Sequence, residues 1–514
     1  MQSQVTNGTG GSGSVGGFNQ GVSTGSRSSV PFIPGSVNNP SGKLGPNNAI
    51  RNVYWVHGLN GDIDSWLNPA QASEYNVAPG FPARKINSIS DITYGQSSGV
   101  LQAGNQLEDA LNRSPSQDRT KDIVIAHSQG GIVSRGLLHN TLCLFPRKKT
   151  EELPMGGLVT FCSPHQGAEL LNNKTLFSEL AEEMCKDLLL GPSEEFVDSI
   201  NIRFKIFGLV PIKISGSKFV KYVETGVGEV CKTFGDNVVP FILDLQTPNI
   251  TKDYEVGAKV LANMNSCLDG NDQLVKFPKV AFFGVEPPRH LMLRTVKYFV
   301  ESCQNYDYFD ANDDMTLIDA FTKNYYTYLG KYIEYVSKVI IAEDAYNGFL
   351  CHTWWNYSVD PCPFLRHRKQ NLTRIRDGYL KGVQFLQSMD DKYKIIIGAL
   401  KLNKTTKLYC KCEGSTEYTE DEISDPWQCP RVKKGQKELL TCYTEEKTTY
   451  NRVEYDSDGV VLASSASNLP GATFGPQLMD NTSHMQARNN KALKLGLLKL
   501  YNGGTDLFFR TLPK

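Results

Sequence analysis

The chain has 514 residues, 40% of them hydrophobic and 21% charged, which is enough apolar mass for one large domain or two to three ordinary ones. Lys plus Arg and Asp plus Glu each number 54, so the formal net charge is zero. That balance argues against a bulk electrostatic nucleic-acid binder, while leaving room for a local basic patch. No run approaches the roughly 18 consecutive apolar residues of a membrane-crossing helix, so no transmembrane segment and no nucleic-acid partner are expected.

In the first 30 residues half are Gly or Ser, and no charge appears before Arg27. Such a segment buries little apolar surface, and residues 1–47 read as a flexible Gly/Ser/Asn-rich tail or linker. Without a basic n-region or an apolar h-region it is not a signal peptide. From about residue 50 short apolar runs alternate with amphipathic stretches. Arg51–Val56 reads as a strand ending at His57-Gly58, Leu101–Leu111 as a helix, and Asp122–Ala126 as a buried strand running straight into a helical segment. Leu158–Phe161 and Val280–Phe283 read as further strands. Strands alternating with helices predict an α/β fold, a mostly parallel sheet with helices on both faces.

Between 301 and 450 the pattern changes. Ile318, Phe321, Tyr325, Leu329, Tyr332, Val336 and Ile340 recur at spacings of three and four, predicting a long amphipathic helix, and Ile375, Tyr379, Val383 and Leu386 predict a second. A Cys-bearing stretch follows. This block is read as a large helical insertion, with the sheet pattern resuming at Arg452, so the expected organisation is 48–300 and 451–514 as two parts of one core.

Of the twelve cysteines, Cys143 and Cys162 sit in apolar stretches and read as buried thiols. Cys410, Cys412, Cys429 and Cys442 fit disulfides better than zinc, because one intervening residue is short for a zinc loop. Disulfides would favour an extracytoplasmic or secreted setting.

The strongest chemical signal is Ile125-Ala-His-Ser128-Gln-Gly-Gly131, between an apolar strand and a helix. A serine there sits on a sharp turn with its hydroxyl at the carboxyl end of the sheet, and only small residues fit two positions to either side, as Ala126 and Gly130 do. A serine hydroxyl needs a base and needs donors for the oxyanion it generates. The backbone N–H of Gln129, at the start of the helix, is one expected donor. The N–H of Leu59, in Val56-His-Gly-Leu-Asn-Gly61, is the other.

Those two motifs together resemble the α/β-hydrolase lipases, in particular the group of bacterial triacylglycerol lipases and GPI inositol-deacylase-like hydrolases. Cys162-Ser-Pro-His-Gln-Gly167 is similar to that group's Thr-Pro-His-x-Gly segment, and Asp244-Leu-Gln-Thr-Pro with Leu261-Ala-Asn-Met-Asn265 is similar to its Asp-Leu and Leu-x-x-Leu-Asn stretch. The likeness covers roughly 50–290 and 452–495. It implies the α/β-hydrolase fold and a Ser, acid, His chain order. Tyr455-Asp-Ser-Asp-Gly-Val-Val461 resembles the group's acid motif, which makes Asp458 the catalytic acid and Asp456 the alternative. His484, the one histidine after Asp458, is then the base. His57, His127 and His165 read as residues that shape their turns by local hydrogen bonding.

The resemblance implies a serine carboxylic-ester hydrolase acting on a hydrophobic ester or lipid through an acyl-enzyme, with 176–240 as a candidate lid that would contact a membrane surface. An acyltransferase using the same triad and a non-catalytic binding module on the same fold are the competing readings. No cofactor and no metal are expected. Asp310-Ala-Asn-Asp-Asp314 begins like a calcium loop but has Met315 where glycine is needed, and Met485, Gln486 and Ala487 after His484 offer no calcium-binding acid.

Overall fold

The computed structural model describes residues 51–66, 86–116, 118–144, 153–176, 249–270, 278–288, 316–348, 362–412, 439–488 and 491–501, with short pieces between them. The candidate tail 1–47, nearly all of the candidate lid 176–240 and the acidic run Asp310–Asp314 lie outside the described residues.

Six strands form one parallel sheet: β1 (Arg51–Val56), β2 (Ile86–Ile92), β3 (Ile123–His127), β4 (Gly157–Phe161), β5 (Lys279–Val285) and β10 (Gln477–Asp480), in the order β10-β5-β4-β3-β1-β2. The inner strands are apolar at nearly every position because both faces are covered. Along β1, Tyr54 and Val56 join one core while Val53 and Trp55 join the other, as the two-residue repeat of a strand requires.

Helices α1 (Val100–Arg113) and α2 (Gln129–His139) cover the first face through Val100, Leu107, Ile132 and Leu137. Helix α6 (Lys491–Tyr501) covers the second through Leu493, Leu497 and Leu500. The Asp253 carboxylate accepts the Val100 N–H at 2.7 Å and so caps α1 from a distant loop. Helix α3 (Lys259–Gly270) carries Cys267, which is disulfide-bonded to Cys143. The expectation of a free Cys143 thiol is therefore corrected: its partner lies 124 residues away on another helix, a pairing that apolar context does not reveal. Cys162 is the free, buried thiol among the described residues.

The chain leaves the sheet at the end of β5 and returns beside it, where the Glu286 N–H donates to the Ser457 carbonyl at 2.8 Å. Between these points lie α4 (Thr316–Gly348), α5 (Cys362–Ile396) and an antiparallel ribbon of β6 (Leu400–Cys412) and β9 (Leu439–Glu454), flanked by β7 (Glu422–Ile423) and β8 (Val432–Lys434). The sheet pattern at Arg452 belongs to this ribbon, where Arg452 pairs with Leu402, and not to the parallel sheet. The Cys410–Cys429 disulfide ties the ribbon's outer part. On α4 the buried stripe runs through Val339 and Ala342, and Ile340, expected inside, is exposed.

Tyr393, Ile396, Ile397 and Ala399, at the junction of α5 and β6, join the first core. The Tyr393 hydroxyl donates to the Gly459 carbonyl at 2.6 Å, so the base of the excursion is fastened to the loop that carries Asp458.

Candidate active site

All strands of a parallel sheet end on one edge; here β1, β3 and β4 end within a residue of one another, and β5 and β10 run three residues further. Val56 lies beside Ala126, His127 beside Phe161, Phe161 beside Phe282, and Val285 beside Asp480. The chain order reverses between β1 and β3, the switch point where open α/β sheets form a crevice. His57 and Ser128 emerge there.

Ser128 has φ 53° and ψ −126° and is the N-cap of α2. Few L residues adopt that conformation, and holding one there takes a tightly built surrounding. Its N–H donates to the Phe161 carbonyl at 2.9 Å. A Cβ on Gly130 would stand 2.4 Å from the His57 carbonyl oxygen, and one on Gly58 would stand 3.0 Å from the Ser128 Cβ. The two loops therefore meet backbone to backbone, and glycine at both positions is what lets them.

His484 lies four residues beyond β10 and is 4% exposed. Its Nε2 is 2.9 Å from Ser128 Oγ and its Nδ1 is 2.8 Å from Asp458 Oδ2. The His484 N–H donates to the Asp458 carbonyl at 2.8 Å, and the Thr482 N–H to the Val285 carbonyl at 3.2 Å, so the loop is pinned on both sides. Asp458 is 1% exposed. Its Oδ1 accepts the N–H groups of Val460 at 2.9 Å and Val461 at 2.7 Å, leaving Oδ2 for the imidazole. Asp456 is exposed. The structure thus brings Ser128, His484 and Asp458 into one hydrogen-bonded chain and leaves Asp456 outside it.

Leu59 is half-buried against the first core, and Gln129 is buried at the first position of α2, where its N–H has no intrahelical partner. The Gln129 side chain is held by two tyrosines that carry no motif in the sequence: the Tyr254 hydroxyl donates to Oε1 at 2.7 Å, and Nε2 donates to the Tyr94 hydroxyl oxygen at 3.3 Å.

The other motif histidines are buried; His57 and His165 bond within their own segments, as expected, whereas His127 reaches a distant loop. His57 Nδ1 lies 2.8 Å from the Gly58 carbonyl, and its ring stacks on Tyr94 at 4.8 Å. His127 Nε2 lies 2.8 Å from the His484 carbonyl and helps hold the base's backbone in place. His165 Nε2 lies 2.9 Å from Thr160 Oγ1, and the His165 carbonyl accepts from the buried Arg135 and from Asn265. Burial lowers the pKa of His57, and lowers those of His127 and His165 well below the usual histidine value, so all three are neutral near pH 7.

Among the described residues one set of side chains has ligand atoms close enough to share a metal ion: Cys162, Asp458 and His484, within 4.8 Å of one another and all buried. Two of the three are already hydrogen-bonded to each other. Burial, with the Asp458 carboxylate beside it, pushes the Cys162 thiol well up, so it meets the acid as a neutral S–H and not as a thiolate ligand.

No protein-family model and no curated protein matches the chain. Among solved structures, a phospholipase, PlaB from Legionella pneumophila, aligns at 13% identity and a TM-score of 0.27, over 46% of this chain and 40% of that one. The chain thus spans less than half of that protein's length, and an overlap at that score is too loose to carry fold or activity across. No helix among the described residues is long and apolar enough to cross a membrane.

Proposed function

We infer that this protein is a serine ester hydrolase of the α/β-hydrolase kind, with Ser128 as nucleophile, His484 as base and Asp458 as acid. The observation that carries the reading is the continuous chain from Ser128 Oγ to His484 Nε2 at 2.9 Å and from His484 Nδ1 to Asp458 Oδ2 at 2.8 Å. The backbone of Ser128, at φ 53°, presents the hydroxyl outward from the strand-to-helix turn.

In this mechanism Ser128 Oγ attacks the ester carbonyl as its proton passes to His484 Nε2. Asp458 fixes the tautomer in which Nε2 is free to accept, and stabilises the imidazolium. The tetrahedral oxyanion receives the N–H groups of Leu59 and Gln129. Collapse breaks the bond to the alcohol, which leaves with the proton from His484. Water, deprotonated by His484, then releases the acid and restores Ser128.

The same reading treats 48–300 and 455–514 as one catalytic core, with the block from 301 to the end of β9 at Glu454 inserted at the end of β5. The Glu286–Ser457 hydrogen bond, which closes the excursion at its root, supports it. The proposed substrate class is a hydrophobic ester or lipid, in line with the resemblance of the Ser128 and Leu59 segments to lipases. Turnover of short soluble esters and of emulsified long-chain esters tests this. The reading expects a higher rate on the long-chain esters. Turnover confined to short esters overturns the lipid assignment, and no ester turnover at all overturns the hydrolase.

A further inference from the structure

We propose that a buried relay, Tyr254 to Gln129 to Tyr94 to the His57 carbonyl, sets the spacing of the two oxyanion donors, making Tyr94 and Tyr254 positioning residues for the reaction. The proposal rests on the serine-hydrolase reading above.

The two tyrosine links are short, the amide link is longer, and the direction of each is forced. Tyr254 donates to Gln129 Oε1 at 2.7 Å, Gln129 Nε2 donates to the Tyr94 oxygen at 3.3 Å, and Tyr94 donates to the His57 carbonyl at 2.9 Å. A tyrosine hydroxyl has one proton. If the Gln129 amide were turned over, Tyr94 would give that proton to Oε1, and the His57 carbonyl would lose its donor. One arrangement therefore satisfies every group, and it fixes the amide.

The relay joins the two elements that carry the oxyanion donors. Gln129 is the residue after the nucleophile, and its own N–H is one donor. The His57 carbonyl belongs to the peptide one step before the bond that bears the Leu59 N–H, the other donor. His57 is further confined because a Cβ on Gly130 would reach its oxygen. Tyr254, Gln129, Tyr94 and His57 are all buried, so water is poorly placed to replace a missing link, and an unmade bond leaves a desolvated polar group. Burial raises both phenols far above neutrality, which keeps the two hydroxyls protonated as donors.

Oxyanion donors act only when aimed at the charge as it forms, so loosening the relay should lower kcat and leave KM nearly unchanged. The test compares wild type, Tyr94→Phe, Tyr254→Phe and, as a control, Tyr54→Phe. The control removes a different buried hydroxyl, one bonded to Asp122 and remote from Ser128. Kinetics are read on an ester and on its thionoester, whose sulfur accepts hydrogen bonds more weakly than oxygen. Tyr94→Phe is expected to lower kcat on the ester about 10- to 100-fold and to shrink the ester-to-thionoester rate ratio. Tyr254→Phe should act in the same direction by less, and Tyr54→Phe should leave both quantities as in wild type. Equal kcat and an equal ratio in folded Tyr94→Phe and wild type would overturn the relay, as would a Tyr54→Phe effect equal to that of Tyr94→Phe. An inactive wild type, by contrast, refutes the hydrolase itself. Circular dichroism and melting temperature establish that each variant is folded.

Discussion

Two aspartates stand two residues apart in Tyr455-Asp-Ser-Asp-Gly459, and their surroundings give them different chemistry. Asp456 faces water, whereas Asp458 is enclosed and has two backbone N–H groups on one oxygen and His484 on the other. A carboxylate held this way keeps its ring partner in one tautomer, and the amide of Asn in its place would favour the wrong one. Asp458→Asn should therefore lower kcat about 10³- to 10⁴-fold, with Asp456→Asn within about twofold of wild type. Steady-state kinetics of the two variants decide the matter, and the reverse ranking would make Asp456 the acid. As candidates, Ser128 and His484 are legible in the sequence because one sits in a strand–turn–helix signature and the other is the lone histidine after the acid motif. Tyr94 and Tyr254 are not. A tyrosine that holds a glutamine amide has no spacing rule, and its partner is set by the fold alone.

Among the elements, the apolar cores of β1, β3, β4 and β5 were readable from sequence, while β2 and β10 were missed. Those two are the edges of the sheet. Ile86-Asn-Ser-Ile-Ser-Asp-Ile92 and Gln477-Leu-Met-Asp480 carry the polar residues an edge tolerates, and β10 is four residues long, so neither shows a continuous apolar run. The shift of the α4 stripe from Ile340 to Val339 has a similar origin. Three- and four-residue spacings both fit a helix, and only packing against α5 chooses between them. Cys143, in the helical turn Asn140–Leu144 that follows α2, and Cys267 on α3 are joined across 124 residues. A crosslink closing a loop of that size constrains the unfolded chain by about 4–5 kcal/mol in the chain-entropy account. Replacing both cysteines by serine should lower the denaturant midpoint with little change in kcat. An unchanged midpoint would mean that the pair is not crosslinked in the folded protein.

For the whole molecule, the pH dependence of stability near neutrality is set by buried groups whose folded pKa differs from the unfolded value. His127, His165 and His57 have folded pKa values below the unfolded value of 6.5. The unfolded chain therefore binds more protons once pH falls below about 6.5, and the stability these residues contribute is present above that pH and lost below it. Each contributes a slope of up to about 1.4 kcal/mol per pH unit. Asp122, raised by burial, acts with the opposite sign but is one group against four, since burial lowers the pKa of His139 as well. Melting temperatures should fall between pH 7.5 and 5.5, and a flat or rising profile would contradict the buried neutral histidines. The central claim, that Ser128 is a nucleophile activated by His484, is tested most directly by fluorophosphonate labelling followed by peptide mass mapping. The account predicts one adduct per chain, on Ser128, with labelling and ester turnover both lost in Ser128→Ala. An adduct elsewhere, or turnover undiminished in Ser128→Ala, would contradict it.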